Sequence, residues 1–269
     1  MATERNDTGT GMPGAGGSRT AALRGRIAGR ERLTGTFVKM ADVTVVEVLA
    51  TSGLDFLVFD AEHAGWDRGR LDSCLAVARA LDMPCLVRVP EAAPAAILMA
   101  LDAGAVGVVV PHVASREIAR RVARAARFGR GGRGFAGSTR WAGFATRPMA
   151  EVLAQDVETI VVAQIEEPEG VEDCAAIAAV EGIDALFAGP ADLTVGYGET
   201  AMGSEVLTDA LGRIGTAARA AGTGYASWVS DAATARDWEA AHGVHIFVLA
   251  SDHAFLRAGA AREAAALRG

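Results

Sequence analysis

Two runs, Ile160-Val-Val-Ala-Gln-Ile-Glu166 and Ile183-Asp-Ala-Leu-Phe-Ala-Gly-Pro-Ala-Asp192, decide how the rest of the chain reads. Each is a short apolar stretch that stops at polar residues, as a strand buried on both faces does. Between them Gly170-Val-Glu-Asp-Cys-Ala-Ala-Ile-Ala-Ala-Val180 has helical spacing. The segment is therefore a strand-helix-strand unit whose strands are parallel neighbours. Glu166 and Asp192 then emerge side by side at one end of a sheet. Two carboxylates held that close repel unless a proton or cation lies between them, and oxygen-only ligands suit Mg²⁺ or Mn²⁺ better than a soft metal. The first expectation is a divalent-metal site.

The same alternation extends in both directions. Strands are expected at Thr34–Lys39, Phe56–Asp60, Pro84–Arg88 and Val106–Val110, followed by helices at Thr44–Ala50, Arg70–Leu81, Pro94–Leu101 and Arg116–Phe128. Beyond the central pair come a helix at Ser204–Ala221, a strand at Gly224–Val229, a helix at Ala232–Ala241, the strand His245–Ala250 and a final helix from His253. Eight strand-helix units with near-continuous apolar strands predict an α/β chain closed as a (β/α)₈ TIM barrel. A doubly wound sheet is the runner-up, and no Gly-x-Gly-x-x-Gly opens a helix after the first strand to favour it. Residues 1–20, rich in Gly, Ser and Thr, read as a disordered tail, Ala21 to Arg32 as a short basic helix, and 21–269 as the barrel domain.

Composition narrows the function classes. A length of 269 residues, 51% of them hydrophobic, suffices for one large core. A formal charge of −7 and a pI near 5.3 argue against nucleic acid as a partner. Cys74, Cys85 and Cys174 are odd in number and scattered through apolar patterns, which reads as buried, reduced thiols. There is no apolar run of membrane-spanning length and no apolar segment behind the N-terminal charges. The expectation is a soluble, cytoplasmic protein with no membrane partner.

Active sites of such barrels lie at the C-terminal ends of the strands. The polar residues closing each run form a constellation there: Lys39, Asp60/Glu62/His63, Arg88, Pro111/His112, Gln164/Glu166, Asp192, Ser230 and Ser251/Asp252. His63, flanked by Asp60 and Glu62, fits a general base near neutral pH. Arg88 needs an anion, either Glu62 or Asp60 or the carboxylate or enolate oxygen of a substrate. Lys39, the only lysine, would have to carry any Schiff base, but that chemistry has no use for the Glu166/Asp192 pair. His112 reads as structural, and His242, His245 and His253 receive no role. Trp141, Phe144 and Trp228 could wall a pocket or fill the core. Gly129 to Pro148, about twenty residues without periodicity, reads as a functional lid or a disordered loop, with arginines that could greet an anionic substrate.

Taken together, Asp60-Ala-Glu-His-Ala64, Leu86-Val-Arg-Val-Pro90, Ala100-Leu-Asp-Ala-Gly104, Val109-Val-Pro111, Gly132-Arg-Gly134, Gln164-Ile-Glu166 and Gly189-Pro-Ala-Asp-Leu193 resemble the signatures of the HpcH/HpaI aldolase family. These are metal-dependent pyruvate aldolases related to citrate lyase β subunits, and the likeness runs in order from about Leu33 to Ala250. It implies a (β/α)₈ barrel, a homo-oligomer (hexamer or trimer) with the last helix exchanged between subunits, and reversible cleavage of a 4-hydroxy-2-oxo acid to pyruvate and an aldehyde. By motif position Glu166 and Asp192 would hold Mg²⁺, Mn²⁺ or Co²⁺. Gln164 and the Ala191-Asp192 backbone would contact the substrate, Arg88 would stabilise the enolate oxygen and His63 would move the proton. The resemblance also pairs that histidine with Asp102, which precedes the fourth strand and so could reach a His63 only from another subunit. Ser138-Thr-Arg-Trp141 and Thr36-Phe-Val-Lys-Met40 depart from the common patterns, and neither removes a metal or catalytic position.

Three alternatives remain at this level. An acyl-CoA lyase of the malyl- or citramalyl-CoA kind would need a basic groove for phosphates, for which Arg130, Arg133 and Arg140 are candidates. Oxaloacetate decarboxylation uses the same enolate chemistry. A barrel that merely binds an oxo acid is the reading from another class, and an intact Glu166, Asp192, His63 and Arg88 speak against it.

Overall fold

The computed structural model describes residues 18–268. Eight parallel strands, each hydrogen-bonded to the next and the last to the first, close a barrel. They are β1 (Leu33–Val38), β2 (Phe56–Asp60), β3 (Cys85–Arg88), β4 (Gly107–Val110), β5 (Ile160–Ile165), β6 (Ala185–Ala188), β7 (Gly224–Val229) and β8 (Ile246–Ser251). Helix α1 (Arg19–Ala28) precedes them, and α2 (Val43–Ala50), α3 (Arg68–Ala80), α4 (Pro94–Asp102) and α5 (Arg116–Ala125) follow the first four strands. The chain continues with α6 (Met149–Ala154), α7 (Pro168–Glu172), α8 (Cys174–Ala178), α9 (Pro190–Gly196), α10 (Glu205–Ala221), α11 (Ala232–His242) and α12 (Asp252–Arg268).

Side-chain period decides which residues point where. In every strand alternate residues face the lumen. Phe56 and Val58, Ile160 and Val162, and Ile246 and Val248 join one apolar cluster, while Leu57 and Phe59, Val161 and Ala163, and Phe247 join the cluster under the helices. Continuing the inward parity past the apolar layers reaches Lys39, Asp60, Arg88, Gln164 and Glu166. The polar residues at the strand ends are thus the top layer of the barrel interior.

The opposite mouth is shut by α1, whose Leu23 and Ile27 join the lumenal cluster. This helix starts at Arg19, capped by the Ser18 side chain, and stops at Ala28, so it begins before and ends short of the expected 21–32 span. Of the tail expected over 1–20, residues 1–17 lie outside the described residues. The single helix expected over 170–180 is divided into α7 and α8 at Asp173, and the helix after β4 ends at Ala125 rather than Phe128.

Residues 129–148 connect α5 to α6 and lead into β5, so they lie on the side of the strand starts, away from the polar layer. The expected lid is therefore corrected. Its arginines serve the scaffold: Arg133 bonds Asp102 at 2.5 Å, Arg140 donates to the Ala103 carbonyl and pairs with Asp72 at 2.8 Å. Arg133 is stacked over Phe128 and Trp141 at 4.6 and 5.1 Å, which places Trp141 in a satellite core and not in a pocket wall. The groove these arginines were expected to offer to CoA phosphates does not form at the polar end.

Helix α12 is about 25 Å long by its residue count, yet Asp252 is its only buried residue. Leu256 on it is 65% exposed, and Phe255 and Leu267 are exposed as well. Among the described residues no helix is long and apolar enough to cross a membrane. The three cysteines are free and buried.

Candidate active site

The polar layer is built around Asp60, fully buried at the end of β2. Arg88, paired with it in register across β2 and β3, reaches back in a fork, Nε to Oδ1 at 2.9 Å and Nη2 to Oδ2 at 2.8 Å. Lys39 Nζ lies 2.9 Å from Oδ2, and the His63 backbone N–H donates to Oδ1 at 3.1 Å. Burial pushes the Asp60 carboxyl up, but the hydrogen bond and charge of Arg88, with Lys39 and the His63 N–H, outweigh it and hold the group below the ordinary carboxylate range. The Arg88 guanidinium also rests 4.3 Å over the Phe37 ring, which with Phe187 floors the layer.

A second group of acids gathers beside it. Glu62 lies 3.3 Å from Arg88 Nε, 3.7 Å from His63 Nε2 and 3.4 Å from His112 Nε2. Glu166, buried just past β5, accepts the His112 backbone N–H at 2.7 Å and the Gln164 amide. Burial raises the Glu166 carboxyl above its ordinary range, and proximity to Glu62 adds to this, against the lowering by the His112 N–H and Gln164. His112 has a positive φ of 56°, a left-handed conformation that aims its ring at the acids. Its Nδ1 sits 2.7 Å from Glu167 and 3.3 Å from Glu166. Burial lowers the His112 imidazole, and Glu167, Glu166 and Glu62 outweigh this and raise it.

Gly189 makes the next strand end fit. A Cβ there would stand 2.8 Å from the Glu166 Cβ and 3.1 Å from Oε2, so only glycine lets the chain pass the buried acid on its way into α9. Asp192 follows in the first turn of α9 and lines a cavity of about 270 Å³ together with Lys39, His63, Arg88, Gln164, Ala191 and Trp228. His63 stands at the rim with its side chain 55% exposed.

These residues suit a divalent cation. Glu62, His112 and Glu166 can each present one ligand atom within 4.8 Å of the others. The buried Gln164 Oε1 and Glu167 Oε2 have no hydrogen-bond partner. A buried acid pushed up by burial, with orphaned oxygens beside it, is what a hard cation satisfies. His112, read from sequence as structural, stands at the centre of this group. The strand-end position after Val110-Pro111 carried the signal, but its left-handed backbone is not visible in sequence.

The other expected residues separate by strand end. His63, Arg88, Gln164, Ala191 and Asp192 line one cavity, and Glu166 adjoins it. Asp102, at the end of α4, lies at the opposite mouth, bonded to Arg133. Trp228 lines the cavity; Trp141 and Phe144 do not.

The sequence model of the HpcH/HpaI aldolase/citrate lyase family matches residues 33–258. The chain is 37% identical over 244 residues to the hydroxypyruvate/pyruvate aldolase of Roseovarius nubinhibens, covering 86% of this chain and 93% of that one. It is 32% identical to the protein of the same description from Paraburkholderia phytofirmans, over 87% of this chain and 92% of the relative. Among solved structures, an HpcH/HpaI aldolase/citrate lyase family protein from Burkholderia cenocepacia superposes with a TM-score of 0.88 at 30% identity, covering 93% of this chain and all of that one (100%).

Asp60→Asn is expected to cost about 3–5 kcal/mol of stability in urea denaturation, because the buried Arg88 and the half-buried Lys39 lose their counter-charge. The pH sign follows from the depressed carboxyl: its stabilisation is complete above the ordinary carboxylate range and is lost as pH falls through the depressed value. The Asn variant should lack that part of the acid limb, and a loss below about 1 kcal/mol would contradict the assignment.

Proposed function

The chain belongs to the HpcH/HpaI aldolase/citrate lyase family, and on that footing we propose that it is a class II, metal-dependent aldolase that reversibly cleaves a 4-hydroxy-2-oxo acid to pyruvate and an aldehyde. The observation that carries this is the buried Glu166, its oxygens engaged by Gln164 and His112, next to Arg88 in one polar mouth. Glu166 and Asp192 would hold Mg²⁺, Mn²⁺ or Co²⁺, which would supply a Lewis acid when bound. The His112 backbone N–H fixes the orientation of Glu166, and Glu62 and His112 each present a further ligand atom beside it.

Each remaining step belongs to a residue of the chain. Gln164 and the Ala191-Asp192 backbone contact the 2-oxo acid. Arg88, locked by the Asp60 fork, stabilises the negative charge that develops on the enolate oxygen as the C3–C4 bond breaks; a donor fixed beforehand needs no reorganisation at that moment. His63, at the rim beside Glu62, takes the proton from the C4 hydroxyl.

Asp102 cannot meet His63 of its own barrel, so its part in orienting that histidine requires a second copy. Exposed α12 and its apolar residues favour the same conclusion: a homo-oligomer, hexamer or trimer, in which this helix is exchanged between subunits. Buried, unpaired cysteines suit a cytoplasmic setting. The acyl-CoA reading loses support with the arginine loop at the far end, and oxaloacetate remains a substrate to be tested.

Protein stripped with EDTA should release no pyruvate from a panel of 4-hydroxy-2-oxo acids and oxaloacetate, and should recover on addition of Mg²⁺, Mn²⁺ or Co²⁺. Borohydride should trap no adduct on Lys39; chelator-resistant, trappable turnover would transfer the mechanism to that lysine. Independently of turnover, Glu166→Gln should weaken Mn²⁺ binding in calorimetry by about tenfold or more, and unchanged affinity would remove Glu166 from the site. Light scattering should find an oligomer that Leu256→Glu dissociates toward the monomer; a monomeric unsubstituted protein would end the exchange reading.

A further inference from the structure

We propose that a basic groove on the outer wall of the barrel, separate from the polar mouth, binds a small organic molecule that carries two phosphate groups.

The groove encloses about 770 Å³, a volume within the range of small-molecule sites. Five arginines line it: Arg24 from α1, Arg116, Arg120 and Arg124 from α5, and Arg127 just beyond α5. Only two carboxylates, Asp156 and Glu181, stand among them. No residue of the mouth cavity contributes to this lining. In a chain of formal charge −7, a groove so biased toward positive charge attracts anions locally.

Packing does not call for these arginines. Arg116, Arg120 and Arg124 recur every four residues, and Arg127 follows three further on, so they stand above one another on one side of α5. Like charges at that spacing repel one another and weaken a helix. The core contacts of α5 are made instead by Ala119 and Val122.

Local anions do not satisfy the stripe either. The exposed Arg116 and Arg120 side chains form no hydrogen bond or ion pair among the described residues, and Arg124 donates only to the Arg130 carbonyl, at 2.7 Å. Arg24 and Arg127 share one carboxylate, Asp184, at 2.8 and 3.5 Å, and Asp184 also accepts the Val161 N–H. Arg127 Nη1 is buried without a hydrogen-bond partner. Asp156 accepts the Phe128 N–H through Oδ2, its Oδ1 is likewise unbonded, and neither it nor Glu181 enters an ion pair. Burial pushes the Arg127 guanidinium below its ordinary range, and Asp184 and Asp156 do not make up the difference, with Arg24 repelling it further. The groove therefore holds more cationic donors than the chain answers.

Guanidinium forks match phosphate oxygens two at a time. Arg116 and Arg124 lie about 12 Å apart along the helix axis, a spread that two phosphates on one body meet better than a single phosphate does. Leu153 and Val157, 41% and 67% exposed, line the same groove and offer that body an apolar surface.

Calorimetry on the full Mn²⁺-loaded chain tests this, with fructose 1,6-bisphosphate as the probe and fructose 6-phosphate as its monophosphate counterpart. One bisphosphate should bind per chain, about tenfold or more tighter than the monophosphate. Arg120→Gln, and separately Arg116→Gln, should each weaken it by about tenfold or more. Circular dichroism should find both variants folded, since neither side chain has a partner to lose, and Arg120→Lys should keep part of the affinity. Glu166→Gln should bind the bisphosphate as tightly as the unsubstituted protein, which separates the groove from the mouth. Absence of saturable binding, equal affinity for the two sugars, loss of binding in Glu166→Gln or undiminished binding in both glutamine variants would each overturn the proposal. A drop in mass by light scattering in those variants, with no bisphosphate bound by the unsubstituted protein, would assign the groove to a second copy of the chain and overturn it as well.

Discussion

The Asp60 carboxylate is the constraint on which the mouth of the barrel depends. An arginine buried over the Phe37 ring, with a lysine beside it at the next strand end, needs a buried anion to answer it. Arg88 Nε donates to Asp60 Oδ1 while Nη2 lies 2.8 Å from Oδ2, so the guanidinium is held against that carboxylate and over the Phe37 ring. The same carboxylate caps the turn that carries His63. One buried acid therefore sets the places of the cation, the base and the lysine before any substrate arrives.

Beside that neutralised centre lies an under-neutralised one. Glu62, Glu166 and Glu167 converge on His112, and burial of Glu166 makes its ionised form costly. The contrast between a carboxylate held low and a neighbour held high is what separates the fixed scaffold of the site from the part that awaits a cation. Gly189 belongs to this arrangement, since any side chain there would occupy the path of the Glu166 carboxylate.

The two ends of the barrel divide the remaining work. Connections leaving the strands carry the reactive groups, and connections entering them carry the scaffold, including α1 as a plug and Arg133 buried between Phe128, Trp141 and Asp102. Arg133 fixes the Asp102 carboxylate at the far mouth.

Much of this was legible in the residues alone. Alternating apolar runs and helical spacings specify eight βα units, and period-two geometry then dictates that Asp60, Arg88, Gln164 and Glu166 share one end, because that is a property of local backbone geometry. Motifs such as Gln164-Ile-Glu166 and Gly189-Pro-Ala-Asp192 carried the family. What the sequence could not decide depends on contacts between distant strands. Whether Arg88 answers Asp60, Glu62 or a ligand was open until β2 and β3 came into register. His112 looked structural because nothing local announces a left-handed backbone that turns its ring onto Glu166. The arginine-rich loop resembled a lid because composition records charge but not which mouth a connection crosses, and only chain closure put it at the far end, bound to Asp102 and Asp72.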